Sequence, residues 1–143
     1  MARAPPSSRM AGVRILVVDD SAPVRARLLA LIGEARGVEV HEASDATQAL
    51  AAMAASKVDV VILDLHLGPR SSGLDVLAAI KAEDPRIVVI VLTNEAGEQY
   101  RREILARGAD FFLDKSRNFF RAAEIVIAMA RGEAGERGPT PLS

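Results

Sequence analysis

The sequence predicts an α/β fold, a doubly wound parallel sheet made of five βα units. Three observations carry this. Short runs of Val, Ile and Leu recur along the chain, at Val13 to Val18, Val58 to Leu63 and Ile87 to Leu92 above all. Runs of that length and β-branched content read as strands. Between them lie segments long enough for helices with apolar residues at three- and four-residue steps, and strands alternating with helices argue for parallel pairing with helices on both sheet faces. Finally, half of the 143 residues are hydrophobic, enough for one domain with a core of its own.

Taken in order, Val13 to Val18 (VRILVV) is the first strand and ends at Asp19-Asp20-Ser21. Pro23 suits the first turn of a helix, and Val24, Leu28, Ile32 and Ala35 give it one apolar face as far as Gly37. Val38 to His41 alternates, as an edge strand does, and places His41 on the surface. The helix Asp45 to Ser56 turns Ala46, Leu50 and Met53 inward, with Ser44 or Asp45 as its cap. Val58 to Leu63 is a buried strand that stops at Asp64, and Gly68-Pro69 break the loop beyond it. Leu74, Leu77, Ala78 and Lys81 mark a third helix, ended by Asp84-Pro85.

Ile87 to Leu92 (IVVIVL) is an unbroken apolar run suited to a central strand, and it ends at Thr93-Asn94-Glu95. A polar helix follows from Gly97 to Arg107, then a strand Asp110 to Leu113 that ends at Asp114-Lys115. The last helix runs from Asn118 to Arg131. Residues 1–12 are expected to be a disordered arm, 13–131 the folded domain and 132–143 a disordered tail. Right-handed crossovers with an alternating second strand at one edge fit the flavodoxin-like (βα)5 arrangement, strand order 2-1-3-4-5.

Composition excludes several classes of function. There is no cysteine, so disulfides, thiolate metal sites and cysteine nucleophiles are absent. The net charge is −1, and no basic stripe or appended helix-turn-helix marks a nucleic-acid reader. No apolar run approaches the roughly 20 residues needed to cross a bilayer. The reading is a soluble, cytoplasmic protein with no direct nucleic-acid or membrane contact.

In open α/β sheets the working crevice lies at the carboxyl ends of the strands. Here those ends carry Asp19-Asp20, Asp64, Thr93 and Asp114-Lys115. Carboxylates crowded into one crevice repel each other unless a cation is present. Oxygen-only ligands suit Mg²⁺, and a lysine and a hydroxyl nearby can bind anionic oxygens. Together they form a site for phosphoryl transfer onto a carboxylate. Each residue also has a plainer reading: Asp19, Asp20 and Thr93 as helix caps, Lys115 and His66 as solvated loop residues, Phe112 as a core aromatic.

The set Asp19-Asp20, Asp64, Thr93 and Lys115, each after its own strand, resembles the receiver domains of two-component response regulators over Val13 to Arg131. The resemblance implies that Asp64 is the phosphoacceptor and that Mg²⁺ is held by Asp20 and Asp64 directly, by Asp19 mainly through water, and by the backbone carbonyl of His66. Thr93 and Lys115 would bind phosphoryl oxygens. Thr93 and Phe112 would form the switch, with Phe112 filling the space vacated as Thr93 moves inward. The implied partners are a sensor histidine kinase or a histidine phosphotransfer protein, and a downstream protein meeting the last two helices. The sequence departs from the common pattern at Ser116, where proline is usual, at Asn94, where alanine is usual, and in a loop after Asp64 that is one residue longer.

The last helix carries apolar residues on more than one face, Phe119, Phe120, Ile125, Val126, Ile127 and Met129 among them, which offers a surface for a partner or a homodimer. The short stretch after it favours a stand-alone receiver over one with an output domain. Competing readings are a receiver-like module that binds proteins without phosphorylation, an aspartyl-nucleophile phosphatase, and a cobalamin-binding module of the same fold. The phosphatase class lacks its acid, because His66 stands two residues after Asp64. The cobalamin loop is nearly spelled by Asp64-Leu65-His66-Leu67-Gly68, with its glycine one place early and on the wrong strand.

Overall fold

A computed structural model describes residues 12–68, 72–94 and 97–132. The expected terminal arm and tail, Pro69 and Glu95 lie outside these residues, apart from Gly12 and Gly132 at their inner ends. Five strands alternate with five helices: β1 Val13–Val18, α1 Ala22–Ile32, β2 Val38–Ala43, α2 Ala46–Ala55, β3 Val60–Leu63, α3 Gly73–Glu83, β4 Val88–Thr93, α4 Glu98–Ala106, β5 Phe111–Asp114 and α5 Phe119–Ala130. The strands form one parallel sheet in the order β2-β1-β3-β4-β5, as the sequence predicts.

Alternation along the strands builds two cores. Leu16, Val18, Val61, Leu63, Val89, Val91 and Phe112 meet α2, α3 and α4 on one face of the sheet. Ile15, Val17, Val60, Ile62, Ile90 and Leu92 meet α1 and α5 on the other. Every residue of β3 and β4 is buried, which is why these strands read as unbroken apolar runs. In β2 the alternation leaves Glu39, His41 and Glu42 exposed at the sheet edge.

Three helical faces differ from the expected ones. In α2, Ala46 and Met53 pack against the core as expected, but the buried residue is Ala49 and Leu50 is 43% exposed; the close approach of the helix to the sheet favours the smaller side chain. In α3 the core face is Gly73, Val76, Leu77 and Ile80, and Ala78 is exposed. Ala35 lies past the end of α1, since Gly33 is the C-cap and its N–H donates to the Leu29 carbonyl. The chain then turns through Gly37, at φ 78°, into β2. In α5, Phe119, Ala122, Ala123, Ile125 and Val126 are buried and Ile127, Ala128 and Met129 are half-buried, so most of its apolar surplus is core. Phe120 remains 56% exposed.

Candidate functional site

The strand register brings the expected residues to one edge. Val18 pairs with Leu63, so Asp19 and Asp64 leave the sheet at the same level. Leu63 pairs with Val91 and Thr93 with Asp114, which extends the row to Thr93 and Lys115. Main-chain bonds fix these exits: Asp19 N–H donates to Ala43 O at 3.1 Å, Asp64 N–H to Val18 O at 3.0 Å and Lys115 N–H to Thr93 O at 2.9 Å. Asp19, Asp64 and Thr93 are the buried polar residues of the described protein.

The three acidic side chains converge. Asp19, Asp20 and Asp64 each offer a carboxylate oxygen, and these atoms lie within 4.8 Å of one another. Asp19 and Asp64 are buried and Asp20 is exposed. Lys115 Nζ lies 2.7 Å from Asp19 Oδ2 and 2.8 Å from Asp64 Oδ2. The remaining oxygens are also engaged: Ser21 N–H donates to Asp19 Oδ1 at 2.8 Å and His66 N–H to Asp64 Oδ1 at 3.1 Å. Burial pushes the Asp19 carboxyl above its ordinary range, more than the hydrogen bonds from Lys115 and Ser21 hold it down. Burial pulls Lys115 the other way, but its bonds to Asp19 and Asp64 together hold its ammonium above the ordinary lysine range.

This arrangement suits a small divalent cation. A cluster of oxygen ligands with one exposed member leaves a solvent-facing side, as a cation that keeps several waters requires. A second positive charge beside Lys115 offsets the mutual repulsion of the carboxylates.

The capping alternatives are settled by geometry. Ser21 caps α1, its side chain accepting from Val24 N. Asp45 caps α2, accepting from Gln48 N. Thr93 does not cap α4, whose N-cap is Gly97. Phe112 is buried and turns toward α4, where its ring meets Tyr100 edge-on with centroids 6.0 Å apart. His66 is exposed, and an isolated antiparallel bridge to Ser72 joins the two sides of its loop.

Gly73, to which the sequence assigns no role, and Asp114, which it places only at the end of a strand, both shape the site. Gly73 packs so closely that a Cβ there would lie 2.4 Å from Leu65 Cα and 2.6 Å from Asp64 O. It therefore sets the path of the main chain behind Asp64, and only a bare glycine signals this in sequence. Asp114 organises the turn after β5: its Oδ1 accepts from Ser116 N and Ser116 Oγ, both at 2.8 Å. Ser116 thus takes a definite part in this turn where proline is usual, and no cis peptide occurs among the described residues.

Residues 15–127 match the response regulator receiver domain. This chain belongs to that family. Among its relatives, it is 35% identical over 117 residues to the probable transcriptional regulatory protein TcrX of Mycobacterium tuberculosis, covering 82% of this chain and 48% of that protein. It is 39% identical over 106 residues to a protein-glutamate methylesterase/protein-glutamine glutaminase of Anaeromyxobacter dehalogenans, covering 73% of this chain and 30% of that protein. The receiver thus spans about half or less of these curated relatives.

Solved structures agree. The chemotaxis protein CheY4 of Vibrio cholerae superposes with a TM-score of 0.70 at 28% identity, covering 80% of this chain and 98% of that one. A response regulator from Burkholderia pseudomallei, whose structure holds a phosphorylated aspartic acid and a calcium ion, superposes with a TM-score of 0.71 at 27% identity, covering 91% and 77%. Among the described residues of this receiver, no helix is long and apolar enough to cross a membrane.

Proposed function

We propose that this receiver accepts a phosphoryl group on Asp64 in the presence of Mg²⁺ and passes the signal on as a change of surface. The observation that carries this reading is the position of Lys115 Nζ, 2.8 Å from Asp64 Oδ2 and 2.7 Å from Asp19 Oδ2, beside three converging carboxylates. Asp20 and Asp64 would hold the cation directly, Asp19 through water, and His66 through its backbone carbonyl. The bound ion would neutralise charge on the transferring phosphoryl oxygens.

In the transfer step, a carboxylate oxygen of Asp64 attacks the phosphorus of a phosphohistidine. A new O–P bond forms as the N–P bond breaks, and its electron pair returns to the imidazole nitrogen. Lys115 then binds a phosphoryl oxygen with the charge it now gives to Asp64. Thr93, at the end of the neighbouring strand, would donate its hydroxyl to another. Drawing Thr93 inward leaves room that Phe112 fills, and the surface of α4, β5 and α5 changes with it. The groove there is lined by Arg101, Phe112 and Arg117 among others, a mixed polar and aromatic face suited to a protein partner. The donor would be a sensor histidine kinase or a histidine phosphotransfer protein, in the cytoplasm, with self-dephosphorylation as the only other chemistry. A second receiver could occupy the same face as a homodimer.

The test is intact mass after incubation with Mg²⁺ and a small phosphodonor. A single phosphoryl adduct is expected on the wild type, with none without Mg²⁺ and none on Asp64→Asn. An adduct that persists in Asp64→Asn would overturn the assignment.

A further inference from the structure

The turn between β1 and α1 carries Asp19 and Asp20 in succession; Lys115 reaches the Asp19 carboxylate, and a second basic side chain reaches the main chain of the turn. Arg25, in α1, donates from Nη1 to the backbone carbonyl of Asp19 at 2.7 Å. Its Nε donates to Glu42 Oε1 at 2.8 Å. Glu42 lies in β2, opposite Val17, one residue before the Val18 and Ala43 pair that ends the ladder. The Arg25 side chain is only 17% exposed, while that of Glu42 is 42% exposed.

The carbonyl it holds belongs to the peptide that joins Asp19 to Asp20. A peptide is planar, so fixing this oxygen fixes the direction in which Asp20 leaves the strand. The other side of Asp19 is fixed too, since its N–H donates to Ala43 O. Asp20 has no such support of its own. Its side chain is exposed, and no hydrogen bond or ion pair to its carboxylate occurs among the described residues.

We propose that Arg25 is a positioning residue for the divalent cation. It orients the Asp19–Asp20 peptide so that the Asp20 carboxylate stands with those of Asp19 and Asp64. Glu42 neutralises Arg25, so this hold does not set an uncompensated positive charge beside the ion. The inference rests on reading the acidic cluster as a Mg²⁺ site.

The sign of one measurement separates positioning from plain electrostatics. Removing a positive charge near a cation site strengthens cation binding if charge alone matters. Removing a support of a ligand weakens it, roughly tenfold for partners that orient metal ligands. Mg²⁺ affinity is therefore measured by calorimetric titration of the wild type, Arg25→Met, Arg25→Lys and Asp20→Asn, with melting temperatures recorded in chelator. Arg25→Met is expected to weaken Mg²⁺ binding roughly tenfold. Arg25→Lys keeps the charge but not the planar fork that reaches two acceptors at once, and it is expected to weaken binding several-fold.

A merely structural role would lower the metal-free melting temperature and leave the affinity of the folded variant unchanged. That result, or tighter binding in Arg25→Met, overturns the proposal. Should Arg25→Met fail to fold, wild-type affinity in Arg25→Lys overturns it alone. If the wild type binds no more Mg²⁺ than Asp20→Asn does, the metal reading itself fails and this proposal with it.

Discussion

At Asp19, burial and function pull in opposite directions. Both of its carboxylate oxygens have partners, Lys115 and the Ser21 N–H, yet burial still lifts its proton affinity above that of an ordinary aspartate. A raised pKa means that the folded state binds the proton more tightly than the unfolded chain does. The resulting stability is fully present below the ordinary value of 3.8 and is lost as pH rises through the folded pKa. Without metal, Asp19→Asn should therefore be more stable than the wild type at pH 7, and the gap should narrow toward pH 4 in denaturant titrations run at both pH values. Asp114 has the opposite sign. Its bonds from Ser116 hold its carboxyl below 3.8, so its stabilisation is present above that value and is lost as pH falls through its lower folded pKa. A variant at Asp19 that gained nothing at pH 7 would mean that Lys115 outweighs the cost of burial.

Helix α3 and strand β5 are joined by Lys81. Its ammonium donates to Ile87 O at 2.6 Å, to Asp110 Oδ2 at 2.9 Å and to Pro85 O at 3.3 Å, while the same Asp110 oxygen accepts from Val89 N at 2.9 Å. One lysine thus ties the end of α3 to the entries of β4 and β5, at the edge of the sheet opposite the acidic site. Lys81→Met keeps the apolar stem but leaves three acceptors without this donor. Losing charged hydrogen bonds of this kind costs about 2 kcal/mol, and urea unfolding should show a loss of that size. The strand register that aligns Thr93 with Asp114 should survive, so the phosphoryl acceptance proposed for Asp64 should persist in the folded variant. The apolar spacing places Lys81 on the helix but does not reveal its acceptors. Pro85 and Ile87 lie in the turn that follows α3, but Asp110 meets Lys81 only when β4 and β5 lie side by side.

Across the whole molecule, two cores pack on either side of one sheet whose carboxyl end carries the acidic cluster. A ligand that binds the folded state alone stabilises it by mass action. Free Mg²⁺ at a hundredfold excess over its dissociation constant should add about 2.7 kcal/mol. The melting temperature should therefore rise by several degrees in the wild type and not in Asp20→Asn. An equal rise in both would place the ion elsewhere.

Much of this protein is local enough for the sequence to determine. Strands β3 and β4 are buried on both faces, so they must be apolar at every position, and that pattern marks them without any knowledge of their neighbours. The topology then delivers Asp19, Asp20, Asp64, Thr93 and Lys115 to one edge, because parallel strands all end on the same side. Tertiary structure decided whatever depends on distance between elements. The inward turn of Ala49 in place of Leu50 depends on how closely α2 approaches the sheet. The need for glycine at position 73 depends on the main chain at Asp64 and Leu65 passing behind it. The hold of Arg25 on the Asp19 carbonyl depends on α1, β1 and β2 meeting at one corner. Periodicity records which way a side chain faces along its own element, and carries no information on what stands opposite.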